Sequence, residues 1–385
     1  MVDLAKRKFL KQGLCGLNVY GVGAVWSNTL IGGYSNRRDN VLLAADENDV
    51  RLPAGFSSRI IARSSEPVIA GQSYLWHPAP DGGACFAVAD GGWIYVSNSE
   101  VQPNGGAGAI VFDANSDVID AYPILENTCR NCAGGAMPWG SWLSCEEVDA
   151  GRVWECYPGG QTPALVRPAL GVFNHEAVAF DEIHKHLYLT EDKPDGCLYR
   201  FTTDVLSSNG YPDLTAGTLE VAVKQNGSVL RWVKVPDPLA QQQETRYQVA
   251  SALTFNGGEG IAYFDGRIAF TTKGDNRVWS FNTSSQILDI VYDAADSLTP
   301  ILTGVDNITV SQAGDIYVAE DGGDLQIVVI DNQGNLYPIA QLEGHERSEI
   351  TGIAFSPDGK RLYFSSQRGV WGRSENGITY EIMGF

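Results

Sequence analysis

Four acids recur at the start of strand-like runs: Glu176 in His175-Glu176-Ala177-Val178, Glu259 in Gly258-Glu259-Gly260-Ile261, Asp306 in Asp306-Asn307-Ile308 and Glu349 in Glu349-Ile350-Thr351. A second set closes the strands that return: Cys145-Glu146-Glu147, Glu191-Asp192, Lys273 and Glu320-Asp321. The offsets between the sets are 15, 14 and 14 residues (176 to 191, 259 to 273, 306 to 320). One acid at a strand start is ordinarily a turn or solvent group, but four at one repeated position argue for a shared site. In an antiparallel hairpin the start of one strand and the end of the next lie at the same edge, so the two sets meet. That many carboxylates cannot all stay ionised and unpaired, because repulsion and desolvation both oppose it. Bound cations relieve the conflict. Carboxylate and amide oxygens (Asn98, Asn307) suit calcium, whereas the thiolate of Cys145 is too soft for calcium and points to a transition metal. Lys273 either neutralises acids or binds an anionic substrate, and Arg368 is a second anion-binding candidate. His175 reads as a ligand or as a core histidine, and Trp139 and Trp142 read as packing.

The elements that must position these residues are short strands. Glycine (43) and tyrosine (16) are plentiful, methionine (3) is scarce, and charged residues make up 19%, which suits strands joined by tight turns. Two-strand units recur at residues 83–100, 139–147, 174–192, 258–273, 306–321 and 349–366. Six such units predict an all-β fold, a single six-bladed β-propeller whose innermost strands line a central channel. The spacings from 176 to 259, 306 and 349 are 83, 47 and 43 residues, so the first gap predicts an insertion around residues 202–256. It holds Pro236-Asp237-Pro238 and a Gln-rich run, with room for a helix and for a rim over the site. A seventh blade requires another repeat hidden there. Ring closure is expected between strands near residues 58–62 and 377–383.

A net charge of −19 argues against binding nucleic-acid polymers and fits cation binding. Lys6-Arg7-Lys8-Phe9-Leu10-Lys11 precedes an apolar, glycine-bearing run and resembles a twin-arginine export signal, with Lys6 in place of the first arginine. Asn18 and several glycines make that run a poor membrane helix. Residues 1–40 are therefore expected to be an export signal and linker that engages the twin-arginine export machinery. Residues 41–385 are expected to be the propeller domain, periplasmic or extracellular, with no membrane span in the mature protein. Cys129-Arg130-Asn131-Cys132 is a single C-x-x-C without a second pair, which suits a local disulfide or free thiols better than structural zinc.

Asn131-Cys132-Ala133-Gly134-Gly135, followed by Pro138-Trp139-Gly140-Ser141-Trp142-Leu143-Ser144-Cys145-Glu146-Glu147, resembles the signature of PhoX-type alkaline phosphatases. So do His175-Glu176, Tyr188-Leu189-Thr190-Glu191-Asp192, Gly258-Glu259-Gly260, Thr272-Lys273-Gly274-Asp275, Asp306-Asn307-Ile308 and Phe355-Ser356-Pro357-Asp358-Gly359. The resemblance implies an exported propeller that hydrolyses phosphomonoesters with iron and calcium. It implies two ferric ions sharing a cysteine thiolate, here Cys145, with Glu176 and Glu259 as further ligands. Calcium then falls to Glu146, Asp306, Asn307, Glu320 and Glu349. A metal-bridging oxide or hydroxide serves as nucleophile, and Lys273 or Arg368 stabilises charge on a small phosphoester substrate. Gly257 departs from the family pattern, which has a phosphate-holding arginine there. Two other functions fit the same acids: a calcium-dependent lactonase or esterase, and a non-catalytic binding propeller with structural metals.

Overall fold

Runs of β-branched and aromatic residues such as Trp93-Ile94-Tyr95-Val96 favour half-buried pleated strands, and short turns fold them into hairpins. Between Phe264 and Arg267, for example, Asp265 and Gly266 both take positive φ (44° and 76°), the two-residue turn whose twist matches its strands. The computed structural model describes residues 41–203 and 205–385; residues 1–40, where the sequence leads one to expect an export signal, lie outside the described residues.

Six antiparallel units result. Blade 1 is Pro80–Ala87, Trp93–Ser99, Gly105–Phe112 and Val118–Thr128; blade 2 is Asn131–Ala136, Trp142–Glu146, Val153–Cys156 and Leu165–Val166. Blade 3 is His175–Asp181, His186–Glu191, Gly196–Thr202 and Thr218–Asn226; blade 4 is Gly258–Phe264, Arg267–Thr272, Arg277–Asn282 and Ile287–Asp293. Blade 5 is Val305–Val310, Ile316–Glu320, Gln326–Ile330 and Leu336–Leu342, with Val50–Arg51 at its edge. Blade 6 is Ile350–Phe355, Arg361–Ser366 and Ile378–Met383, and its outermost strand, Ser57–Arg63, comes from the other end of the chain. That pairing closes the ring where the sequence places it.

The innermost strands touch in unbroken order from blade 1 to blade 6 and back to blade 1. Six apolar clusters fill the six interfaces between neighbouring blades. Blades 3 and 4 are joined into one ten-stranded sheet, but only by the Val229–Ile287 pair, through an additional strand Val229–Lys234. That strand and Thr218–Asn226 occupy part of the predicted insertion. Its described residues hold no α-helix and one 3-10 turn, Thr245–Tyr247. The run Val229-Leu230-Arg231-Trp232-Val233 has the β-branched and aromatic content of a strand, and it pairs with the preceding strand in register Val221↔Val233.

Every innermost strand carries an irregularity near its start. Pairing jumps between residues 80 and 83, 131 and 134, 175 and 178, 258 and 261, 305 and 308, and 351 and 354. A bulge of this kind bends the strand and re-aims a side chain. Its unpaired backbone groups are met by the neighbouring blade: Asn98 Nδ2 donates to the Ala133 carbonyl (2.8 Å), Thr190 Oγ1 to Glu259 (2.6 Å) and Thr351 Oγ1 to Pro80 (2.8 Å). In blade 6 the bulge holds Gly352, at φ 65°, where an added Cβ lies 2.5 Å from the Asp81 carbonyl. Gly352→Ala is expected to lower unfolding free energy by about 3 kcal/mol in urea titrations, from left-handed strain plus overpacking. A wild-type midpoint would mean that the ring tolerates a wider spacing there.

Candidate metal centre

The bulges assemble the site. The first bulged residue of blades 1 to 5 is Asp81, Cys132, Glu176, Glu259 and Asp306 in turn. The residue after each, from Gly82 to Asn307, lines a cavity of about 780 Å³ in the channel below. The ring of acids thus separates an acidic mouth from a channel walled mainly by small and apolar side chains.

Among the described residues, four groups of three donors each bring their ligand atoms within 4.8 Å of one another: Asp81, Glu100 and Cys132; Cys132, Glu147 and Glu176; Glu176, Glu259 and Asp306; Asp306, Asp321 and Glu349. Consecutive groups share Cys132, Glu176 and Asp306, so the donors form one chain around the mouth. Cys132 Sγ lies 3.2 Å from Glu176 Oε1 and 3.7 Å from Asp81 Oδ2. Gln367, buried between them, donates its Nε2 to Asp81 Oδ2 (2.6 Å) and Glu100 Oε2 (2.8 Å).

Of the residues expected from the sequence, Glu176, Glu259, Lys273, Asp306, Glu349 and Arg368 converge here. Cys145 does not join the donor groups. It is wholly buried in the apolar cluster between blades 2 and 3, with Leu143, Val153, Phe173 and Leu189. Its neighbour Ser144 turns to the opposite face and donates to Asn98 Oδ1 (2.8 Å). Asn307 is also committed elsewhere: its Nδ2 donates to Asp306 Oδ1 (2.8 Å) and its Oδ1 accepts from the Gly352 N–H (2.7 Å). Asn98 is likewise spent on backbone carbonyls and on Trp142 and Ser144. His175 is a core residue, stacked on Phe173 with Nε2 3.1 Å from the Gly171 carbonyl.

Glu146 and Glu320 also lie outside the four donor groups. Each closes its strand and accepts backbone N–H groups: Glu146 from Cys129 and Arg152 (both 3.1 Å), Glu320 from Thr303 (2.8 Å) and Gln326 (2.9 Å). Glu191 repeats the device with Cys197 (3.1 Å). In all three the second strand's last residue accepts from the residue six positions later, which ties the hairpin to the third strand. The next acid in each pair continues past the strand, and Glu147 and Asp321 enter the donor groups. Two signals in the sequence pointed this way: the shared position of Cys132 and Glu176 before a small residue, and the repeated six-residue spacing.

Three cations answer the acids. Arg130 pairs with Glu100 (2.7 Å) and Glu147 (3.0 Å), Arg368 with Glu349 (2.9 Å), and Lys273 with Glu259, Asp306 and Asp321 (each 3.1 Å). They do not balance the charge. Burial, then mutual repulsion, pushes Asp81, Glu176 and Glu349 well above the usual carboxylate range. Glu259 is raised likewise, by burial and then Asp306, against the pull of Lys273. Glu147 rises to about 8 through burial and Glu100, against the pull of Arg130. The Cys132 thiol is held protonated by burial, Asp81 and Glu176. Burial opposes the charge of Lys273, but its three carboxylates outweigh it and keep the ammonium protonated.

The donor set fits metal ions. Glu259 Oε1 is buried and, beyond its ion pair, accepts no hydrogen bond. A thiol shared by two donor groups suits a transition metal, and the all-oxygen groups suit a hard cation.

Carboxyls that bind protons more tightly folded than unfolded stabilise the protein at low pH, and that stability is lost as pH rises. With Glu191, Glu320 and Glu147 titrating at about 6, about 7 and about 8, the melting temperature under chelation should fall from about pH 5 to pH 8. A flat profile under chelation contradicts the charge accounting. Separately, Glu320→Ala should cost about 3 kcal/mol in urea by orphaning two N–H groups, and Asp321→Asn less than about 1 kcal/mol. The reverse order would undo the division of the acid pairs.

A family model for alkaline phosphatase PhoX matches residues 95–162, 153–286 and 293–369. No curated protein sequence matches the chain. Among solved structures, Pseudomonas fluorescens PhoX in complex with vanadate, a transition-state analogue, is similar at TM-score 0.76 and 17% identity, covering 90% of this chain and 97% of that one. A structural-genomics protein from Bacteroides thetaiotaomicron has TM-score 0.53 at 9% identity, covering 85% and 76%. A Xanthomonas campestris gluconolactonase has TM-score 0.50 at 13% identity, covering 88% and 91%. At these identities the likenesses speak to the fold.

Proposed function

This chain belongs to the alkaline phosphatase PhoX family, and on that footing we propose that it hydrolyses phosphomonoesters at the acidic mouth of its propeller, using iron and calcium. The observation that carries the reading is the chain of four donor groups linked by Cys132, Glu176 and Asp306, with three basic side chains at the same mouth.

Cys132 and Glu176, with Asp81, Glu100 and Glu147, are the donors suited to iron; Glu259, Asp306, Asp321 and Glu349 are suited to calcium. When bound, such cations supply positive charge to phosphate oxygens and make water a competent nucleophile near neutral pH. The protein contributes position and charge. Arg130, Lys273 and Arg368 are partly exposed (side chains 42%, 34% and 35%), so each borders the open mouth, from which its donors can turn to a phosphoryl oxygen. Gln367 holds Asp81 and Glu100 in place from behind. The glutamates that accept backbone N–H groups keep the strand ends rigid, so the donors above them stay preorganised.

Cys132 among the donors favours this reading over a calcium-only lactonase, since a thiol is a poor calcium ligand. Export by the twin-arginine route to the periplasm or beyond completes the proposal. The test is release of phosphate from a chromogenic monoester by metal-loaded protein. Cys132→Ser should lower kcat at least about 100-fold, the upper end of what losing a supporting contact at a metal costs. Cys145→Ala should leave kcat unchanged. Full turnover in Cys132→Ser would remove the thiol from the mechanism.

A further inference from the structure

The carboxylates that would receive the hard cations are already held by a cation of the protein's own. Lys273 Nζ stands 3.1 Å from each of Glu259 Oε1, Asp306 Oδ2 and Asp321 Oδ2. Those oxygens come from two blades and belong to both all-oxygen donor groups. The ammonium is thus surrounded much as a metal ion would be. Calcium bonds oxygen at about 2.4 Å. It cannot take these carboxylates while an ammonium keeps them at hydrogen-bond distance in a poorly solvated site, because the two charges repel there.

Lys273 has somewhere to go. Its side chain is 34% exposed. It begins the 3-10 turn Lys273–Asp275, whose next residue is Gly274. Gly257 flanks its stem at φ 71° and carries no side chain; a Cβ there would come 3.8 Å from Lys273 Cβ and 3.2 Å from Asp192 Oδ1.

We propose that Lys273 is a displaceable counter-ion: it holds Glu259, Asp306 and Asp321 together in the cation-free protein and is driven off when a hard cation enters. Its ammonium then turns into the open mouth, where it meets the phosphate. The anion site is assembled by cation loading, which orders the two events: cation first, anion second. This rests on the metal-dependent reading above and adds that order to it.

Two measurements test it without turnover. Wild-type protein is treated with an amine-acylating reagent, with and without calcium, and modification is read by peptide mass spectrometry. Lys360, whose side chain is 71% exposed and whose ion-pair partner is Asp358, is the internal reference. Calcium should raise Lys273 labelling at least about tenfold relative to Lys360. In calorimetry without phosphate, Lys273→Met should bind calcium at least about tenfold more tightly than wild type, since it removes the competing positive charge. Calcium binding by the wild type with no change in Lys273 labelling overturns the inference and leaves the phosphatase reading standing. Calcium affinity in Lys273→Met equal to or weaker than wild type overturns it as well. Failure of the wild type to bind calcium at all removes the metal-dependent reading together with it.

Discussion

A closed ring of six innermost strands must bring its functional side chains to one mouth, and the chain does so with one bulge near the start of each strand. Without the bulge, alternation would send consecutive side chains to opposite faces of the blade and none along the channel axis. With it, blades 1 to 5 deliver Asp81, Cys132, Glu176, Glu259 and Asp306 to one mouth, while the residue after each lines the channel beneath. Blade 6 has Gly352 in the bulge, and Glu349, just ahead of that strand, completes the circle. The bulges hold because neighbouring blades hydrogen-bond the backbone groups they leave unpaired, through Asn98, Thr190 and Thr351. The site is therefore a product of ring closure, since no isolated blade could build it.

Electrostatics follow from the same geometry. Carboxylates forced together at the mouth are stable only if they keep protons, meet basic side chains or bind cations. The structure displays the first two: Glu147 titrates at about 8, and Lys273 sits among three acids. The third is what such a site is built to exchange for them. Acids that serve the fold are satisfied differently. Glu146, Glu191 and Glu320 face backbone N–H groups, which want a carboxylate but offer no vacancy for a metal.

Much of this was legible beforehand. The six units, the closure between residues 57–63 and 378–383, and the convergence of Glu176, Glu259, Asp306, Glu349, Lys273 and Arg368 all follow from repeats and hairpin geometry. Three residues lie apart from the donor groups. Cys145 turns into the apolar cluster between blades 2 and 3, while Glu146 and Glu320 close their strands and accept backbone N–H groups. One residue of register exchanges one face of a strand for the other.

What the amino-acid sequence determined by itself was the architecture and the kind of chemistry, because period-two patterning, turn residues and recurring acids are carried by residues close together in the chain. Which thiol faces the acids was decided by tertiary structure. Cys145 stands beside Glu146 and Glu147 in sequence and Cys132 has no acid within five residues, yet the bulge after Asn131 and the packing of blade 2 on blade 3 turn Cys132 toward the acids and Cys145 into the core. The first points its sulfur at Glu176, from another blade; the second is enclosed by leucine, valine and phenylalanine. Likewise, nothing in the order of residues says that Lys273 reaches Asp306 and Asp321, since those contacts exist only once blades 4 and 5 lie side by side.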